Sequence, residues 1–178
     1  MLHFIVNLNN QINSYQMKKF TIEFKWAIIS IIIFLAWMTL EKQLGYHNEK
    51  IKWQMVFTML YIFPSFLLYF LALRDKKKNY YHNQMNWRQG FISSIVISFI
   101  IAVFSPITQF ITHEFISPQF FDRLIKLSVE TKRMTSEQAQ SYFNLSAYIW
   151  QSISGGISTG VVFGAIIAYI LKPKSDVK

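Results

Sequence analysis

Four long stretches of apolar residues divide the chain, and almost all of its charged residues lie between them. The stretches cover about Trp26–Leu44, Trp53–Leu73, Phe91–Thr112 and Ala147–Leu171. An α-helix rises about 1.5 Å per residue, so stretches of about 19–25 residues can cross a hydrocarbon layer about 30 Å thick. The pattern therefore predicts four membrane-spanning helices.

The composition of these stretches excludes other folds. Ile28–Leu35 is apolar around nearly its whole circumference, whereas a surface helix of a soluble protein carries apolar residues on one stripe. Strands of membrane barrels are alternating segments of about ten residues, and these stretches are longer and continuous. We therefore expect an all-α integral membrane bundle of four transmembrane helices, formed as a single domain by residues 17–172.

The segments outside the bundle predict its boundaries and orientation. Residues 1–16 lack the basic start and long apolar core of a signal peptide, and Met17-Lys18-Lys19-Phe20 is typical of a bacterial start. Residues 1–16 are therefore expected to be an extension or tail. Eleven Lys and Arg residues lie in the two tails and the second connection, against seven in the other two connections. Cytoplasmic segments carry this excess, so both termini, including the tail 173–178, are predicted to be cytoplasmic.

A basic cluster directly follows the second stretch and consists of Arg74, Lys76, Lys77 and Lys78. Cations at this place set topology, and each contributes about 1 kcal/mol of attraction to anionic headgroups. A net charge of +9 would indicate nucleic-acid binding in a soluble protein. Here topology and lipid contact account for the charge, so the bilayer is the expected partner and nucleic acid is not.

The last stretch has a small residue at every fourth position: Ser152, Gly156, Gly160, Gly164 and Ala168. This spacing places all five on one side of a helix. Helices in a membrane associate through close backbone approach, which small side chains permit. The stripe therefore predicts a packing surface. Its occupant is either another span of the same chain or a second copy in a homodimer.

Two glutamines and two prolines interrupt the apolar pattern. Gln109 and Gln151 should lie about one turn below the same membrane boundary on consecutive spans. They are interpreted as an interspan hydrogen bond, worth about 0.6 kcal/mol on average, or as the lining of a polar cavity. Pro64 and Pro106 each remove a backbone hydrogen bond, which predicts a fixed kink or, alternatively, a gating hinge.

The third connection, about His113–Ser146, is expected to form two short helices on the outer face. Ser117-Pro118 favours the start of the first, because a hydroxyl can cap the helix and proline is tolerated in its first turn. Thr135 and Gln138 match a capping box at the start of the second. Packing of this segment on the spans and docking of a partner are both open.

Motifs for catalysis are missing from the sequence. The chain has no cysteine, which excludes disulfides, thiolate metal sites and cysteine nucleophiles. Only Glu23 and Glu41 flank the first span, and each has a lysine nearby and is expected to reach water. Since no charged residue lies well inside a stretch, ion-coupled transport is disfavoured. A weak metal site is conceivable from four residues of the outer face: His47, Glu49, His113 and Glu114. No catalytic, cofactor-binding or metal residue is therefore assigned.

Several short motifs give the chain a family resemblance: Met17-Lys18-Lys19-Phe20 with Glu23, Lys25-Trp26-Ala27-Ile28-Ile29, Trp37-Met38, Leu40-Glu41-Lys42, Asp75-Lys76-Lys77-Lys78-Asn79-Tyr80-Tyr81, Trp87, Gln89-Gly90-Phe91, Ser105-Pro106 and Tyr142-Phe143-Asn144-Leu145. From Met17 to about Leu171 the chain resembles domain-of-unknown-function family 4199, a set of small bacterial inner-membrane proteins. The resemblance implies four spans and that location. It carries no activity onto any residue.

Two functions are expected from these observations. The first is a structural, accessory or assembly component that acts through helix packing with a second copy or an unidentified membrane partner. The second is a small-solute transporter or channel without a charged coupling residue, whose path would include Thr108, Gln109, Gln151 and serines of the last two spans. Convergence of these polar residues on a cavity would favour transport, and a solid interior would count against it.

Overall fold

The computed structural model describes residues 2–173, with side chains from residue 20 onward. Its α-helices are α1 (Leu2–Gln43), α2 (Gln54–Met59), α3 (Ile62–Asn79), α4 (Trp87–Phe110), α5 (Phe120–Glu130), α6 (Ser136–Tyr142) and α7 (Leu145–Leu171). A short 3-10 helix, Ile51–Trp53, precedes α2, and a π-helical segment, Ile111–Ile116, continues α4. No strand occurs in the part of the chain that the structure describes.

Four helical segments are long and apolar enough to cross a membrane: Phe20–Gln43, Ile51–Asn79, Trp87–Ile116 and Leu145–Leu171. They confirm the all-α membrane bundle expected from the sequence. The side chains of residues 1–19 and residues 174–178 lie outside the described part. The predicted extension at residues 1–16 and most of the predicted tail at 173–178 therefore stay predictions.

The two ends of the bundle are named here by the residues that lie at them. We call the end at Phe20, Asn79, Trp87 and Leu171 the terminal end, and the opposite end the distal end. α4 packs along α7, and α1 and α3 complete the bundle. The buried apolar core lies mainly in the terminal half: Ala27, Tyr69, Ala72, Leu73, Met85, Ile97, Phe163 and Ile167.

Local capping explains where several helices begin. Asn86 and Gln89 form a capping box at the start of α4, and Asn144 caps α7 through the Ala147 N–H. The capping box predicted for Thr135 and Gln138 is confirmed at the start of α6.

The predicted start of the first outer helix at Ser117 is wrong. The N–H of Ser117 donates to Thr112 O at 2.7 Å, so this residue closes the π-helical end of the third span. α5 then begins at Phe120, and the preceding Gln119 makes no side-chain cap.

The two prolines have different surroundings. The second span is broken at Leu60–Tyr61, and Pro64 lies in the first turn of α3 beyond the break, where a proline needs no N–H partner. A proline ring also clashes with the carbonyl four residues earlier, here that of Leu60. Pro106 instead lies inside continuous α4, where the hydroxyl of Ser105 donates to Ile101 O at 3.3 Å.

Candidate functional site

A cavity of about 260 Å³ lies between the four spans, in the middle and distal part of the bundle. Nine of the residues that line it have a hydroxyl or amide side chain: Ser30, Tyr61, Ser65, Tyr69, Ser105, Thr108, Gln109, Ser152 and Thr159. The remaining lining residues are Ile31, Phe34, Leu68, Ile101, Gly155 and Gly156. No Asp, Glu, Lys, Arg or His is among these lining residues. The cavity surface is therefore mainly apolar, with hydroxyl and amide groups and no formal charge.

Some polar groups of the lining retain hydrogen-bonding capacity, although Tyr69 already contacts Ser98 and Ser105 donates to Ile101 O. Ser30, Thr108 and Ser152 donate to carbonyls of their own helices at 2.8–2.9 Å, which leaves oxygen lone pairs to accept. The hydroxyls of Ser65 and Thr159 make no hydrogen bond among the residues the structure describes. The lining therefore presents both hydrogen-bond donors and acceptors to a molecule in the cavity.

Gln109 is buried and contributes an amide to the cavity wall. Its Oε1 lies 3.1 Å from Nε2 of His113. The amide Nε2 has no such contact within the described chain and remains a donor. Gln151, in contrast, is exposed on the outside of the bundle and is not a lining residue. The predicted hydrogen bond between the two glutamines is therefore replaced by the contact with His113, because Gln151 lies on a different face of α7.

The small-residue stripe of α7 meets α4 only in its terminal half. A Cβ atom on Gly160 would lie 1.4 Å from Ser98 Oγ, and one on Gly164 would lie 2.5 Å from Ser94 Oγ. Farther along, a Cβ atom on Gly90 of α4 would lie 2.9 Å from the Cβ of Ala168. A span of the same chain thus occupies this half of the stripe.

The distal half of the same stripe borders the cavity. Ser152 and Gly156 are both lining residues, and a Cβ atom built on Gly156 meets nothing within 4 Å. A small residue at Gly156 leaves open space, whereas a small residue at Gly160 lets the neighbouring helix make contact. The regular spacing in the sequence therefore serves two purposes along one helix.

Hydrogen bonds and aromatic contacts close the cavity toward the terminal end. The hydroxyl of Tyr69 lies 2.8 Å from Ser98 Oγ, and Ser94 Oγ donates to Gly160 O at 2.7 Å. The ring of Phe163 packs edge-on against Tyr69 and Phe66, with centroids 5.9 and 5.2 Å apart. Together these residues form a floor beneath the cavity.

An ion cluster is buried at the terminal end. Lys76 Nζ donates to Glu23 Oε2 at 2.9 Å, and Ser93 Oγ donates to Glu23 Oε1 at 2.6 Å. Glu23 and Lys76 are each only 2% exposed. Burial raises the pKa of the Tyr81 phenol most, and the neighbouring Tyr80 and Glu23 raise it further. The phenol therefore stays neutral beside the ion pair. This cluster joins α1, α3 and α4.

The lipid-contact prediction for the basic cluster is wrong for Lys76, whose charge pairs with Glu23. Lys77 Nζ donates to Leu171 O at 2.6 Å and so caps the end of α7. Arg74 and Lys78 are exposed, and for them lipid contact stays a prediction. Glu23 was expected to reach water with Lys25 nearby, but it is buried and pairs with Lys76. A side chain two positions away points to another side of the helix, and Lys25 instead pairs with Asp75.

A second carboxylate is buried at the distal end. Glu41 is fully buried and accepts hydrogen bonds from Trp37 Nε1 at 2.6 Å and Thr58 Oγ1 at 2.8 Å. His47 Nε2 lies 3.1 Å from its other oxygen. Glu41 was expected to reach water, but α2 and the first connection cover it. Eighteen residues separate Glu23 from Glu41 on α1, roughly 27 Å at the rise of a helix, so the two carboxylates bracket the hydrocarbon layer.

Two buried histidines lie near Phe120 of α5, at the distal end. The centroid of its ring is 4.9 Å from that of His47 and 5.1 Å from that of His113. The Nδ1 atoms of both histidines are buried without a hydrogen-bond partner. The metal site conceivable from the sequence does not assemble, because Glu49 and Glu114 are exposed. Among the described residues no three His, Asp or Glu side chains converge.

The sequence of α4 also contained a signal for its packing against α7. Gly90, Ser94, Ser98 and Ala102 recur at every fourth position, which matches the spacing of the stripe in α7. Two such stripes on consecutive antiparallel spans indicate that the spans face each other. The cavity has no comparable signal, because its lining residues come from four separate helices.

Comparisons with known proteins supply a family and no activity. Neither the curated proteins nor the solved structures contain a match to this chain. A family model described as "Protein of unknown function (DUF4199)" matches residues 25–173 and thus includes all the cavity-lining residues. With most of its length matched, the chain belongs to the DUF4199 family.

Proposed function

We propose that this membrane protein binds a small uncharged polar molecule in the cavity, as the binding step of its passage through the membrane. The observation that carries the proposal is the lining of nine hydroxyl or amide side chains around about 260 Å³. Pockets for small molecules are commonly about 300–1,000 Å³ and place a few polar groups on apolar walls. This cavity suits a ligand smaller than a typical drug.

The absence of formal charge in the lining favours an uncharged ligand. An ion taken from water into the middle of a bilayer needs an opposite charge or a strong ligand field. The ionic groups of the described bundle that could supply one lie at its two ends, where Glu23 pairs with Lys76 and Glu41 contacts His47. Hydroxyl and amide groups satisfy a neutral solute without such compensation.

Bonded and aromatic side chains lie toward both ends of the cavity. The Tyr69–Ser98 contact and Phe163 lie on the terminal side, and Tyr61 with Gln109 lies on the distal side, beneath the buried histidines. Passage would require these two groups of side chains to open in turn. The break in the second span at Leu60–Tyr61 is the place where α2 would move in such an opening.

The proposed location is a bacterial cytoplasmic membrane with both termini in the cytoplasm. Four apolar spans and the DUF4199 match support a membrane protein. The excess of Lys and Arg in the tails and second connection supports the orientation. A single cysteine introduced at Arg88, in a chain without native cysteine, should react with a membrane-impermeant maleimide only after the cells are opened. Labelling in intact cells would reverse the orientation.

Solute flux into proteoliposomes tests the proposed passage through the cavity. Purified full-length protein should accelerate swelling in glycerol or urea, followed by light scattering, relative to protein-free vesicles. Gly156→Leu places a side chain into the cavity and should abolish the acceleration. Val162→Leu, at an exposed position of the same helix, is the matched control and should leave flux unchanged. Equal flux in the two variants, or none in wild type with either solute, would count against passage.

An accessory role is the second candidate, and the outer surface of α7 favours it. Gln151, Ser154, Gly155 and Ser158 are exposed there although the helix spans the membrane. Polar and small residues facing lipid are typical of helix–helix contacts. A Ser154→Cys variant, oxidised in native membranes, should form a homodimer if the occupant is a second copy. A crosslink to another protein would indicate a heterologous partner, and a monomer alone would contradict this role.

A further inference from the structure

We propose that the cavity also takes the head of a neutral amphiphile, which enters sideways from the lipid beside Gly155 and Gly156 of α7. Its uncharged head would occupy the cavity and its hydrocarbon chain would remain outside the bundle. This inference rests on the proposed function and adds the entry route and the chemical class of the ligand.

The route follows from the wall of the cavity at α7. Gly155 is a lining residue and is exposed. Cβ atoms built on Gly155 and Gly156 meet nothing within 4 Å. At these two positions α7 thus contributes only backbone to the wall, and no other side chain covers it. Since α7 lies within a span, the medium on the outer side of that wall is lipid.

The open space beside Gly155 and Gly156 does not extend into the terminal half of α7. Four residues farther along, a Cβ atom on Gly160 would lie 1.4 Å from Ser98 Oγ, so no passage exists there. The wall is closed by side-chain contact below the cavity and left uncovered beside it. An opening at the height of the cavity gives a molecule in the bilayer direct access to its hydroxyl and amide groups.

The size of the cavity requires part of an amphiphile to stay outside. About 260 Å³ is less than pockets that enclose a drug-sized molecule, so a complete lipid cannot fit. A chain that passes out beside Gly155 would remain in hydrocarbon and lose no favourable contact with lipid. A polar head, in contrast, exchanges hydrocarbon or interface for hydroxyl and amide partners.

The lining selects the type of head. Gln109 Nε2 can donate to a carbonyl or hydroxyl oxygen, and the hydroxyls of Ser65 and Thr159 can donate or accept. None of the lining residues carries a charge that would neutralise a phosphate, carboxylate or ammonium. The geometry thus fits hydroxyl- or carbonyl-bearing neutral lipids, such as a monoacylglycerol, and disfavours phospholipids and fatty-acid anions.

Photolabelling with a monoacylglycerol that carries a diazirine on its glycerol head tests the inference on the full-length protein in phosphatidylcholine vesicles. Peptide mapping should find label on cavity residues such as Ser65 and Thr159, and excess unlabelled monoacylglycerol should remove it. A fatty acid with the same chain should compete at least about tenfold less well, as expected for a head that the site does not hold.

Two α7 variants separate the route from the site. Gly155→Leu covers the gap from outside and should lower cavity labelling by about tenfold, because access is removed. Val162→Leu, also exposed, should leave it unchanged. Cavity labelling that survives Gly155→Leu, or label confined to lipid-facing residues such as Ile166, would overturn the inference. If glycerol flux is nevertheless present and lost in Gly156→Leu, the proposed function stands; if flux is also absent, both fall.

Discussion

The terminal and distal halves of the bundle use the small residues of α7 in opposite ways. In the terminal half, small residues of α7 let α4 approach until Gly160 and Gly164 touch Ser98 and Ser94. In the distal half, the same four-residue spacing places Ser152 and Gly156 beside a cavity. Small residues therefore indicate either contact or space, and the neighbouring helix decides which.

Charge is also used differently at the two ends. The terminal carboxylate, Glu23, has a full counter-ion in Lys76. The distal carboxylate, Glu41, depends on neutral donors from Trp37 and Thr58 together with His47. We expect the loss of one partner to be costliest in the terminal cluster, because it leaves a buried charge unpaired.

The largest expected effect is at Lys76. Lys76→Met leaves Glu23 buried without its counter-ion and should lower the free energy of unfolding by about 3–5 kcal/mol. Reversible unfolding in mixed detergent measures it. Lys25→Met is the control: Lys25 pairs with Asp75 but its side chain is 51% exposed, so its loss should cost less than about 1 kcal/mol. Similar losses in both variants would contradict the difference between buried and exposed pairs.

The next effect tests the packed part of the stripe. Gly160→Leu forces α4 and α7 apart, since even a Cβ atom would overlap Ser98 Oγ, and should cost about 3 kcal/mol. Val161→Leu, at an exposed neighbouring position, should change stability little. Thermal unfolding in detergent compares the two. If both were equally and negligibly affected, the stripe would not be a packing surface.

A smaller effect is expected at the distal carboxylate. Thr58→Val removes a hydroxyl that lies 2.8 Å from both oxygens of Glu41, and hydrogen bonds to charged groups contribute about 1.5 kcal/mol or more. Thr39→Val is the matched control, because that hydroxyl donates only to Leu35 O of its own helix. A loss in Thr39→Val as large as in Thr58→Val would show that Glu41 is not stabilised by this contact.

The smallest effect compares one serine from each half. Ser94→Ala removes the interhelical hydrogen bond to Gly160 O and should cost about 0.6 kcal/mol, the average for membrane proteins. Ser65→Ala, at a cavity hydroxyl without a bonded partner in the described chain, should cost nothing measurable. Equilibrium unfolding curves of the two variants, recorded side by side, provide the measurement. A greater loss at Ser65 would mean that its hydroxyl is already satisfied and unavailable to a ligand.

Sequence reasoning was most accurate for properties that depend on one segment. The four spans follow from the length and hydropathy of each apolar stretch, and the capping box at Thr135 and Gln138 follows from spacing within one turn. It failed where residues distant along the chain meet. Lys76 was assigned to the lipid surface because Glu23, 53 positions away, gives no local sign that it faces the same helix interface.

The sequence by itself determined the solvent of this protein and the number of its spans, because burial in hydrocarbon leaves a continuous apolar record about 20 residues long. Only the tertiary structure decided which polar groups pair, which half of the α7 stripe is filled and where the cavity lies. These features depend on the faces that four helices turn toward one another. In lipid, those faces are selected by shape and hydrogen bonding rather than by hydrophobicity, which is nearly uniform along every span.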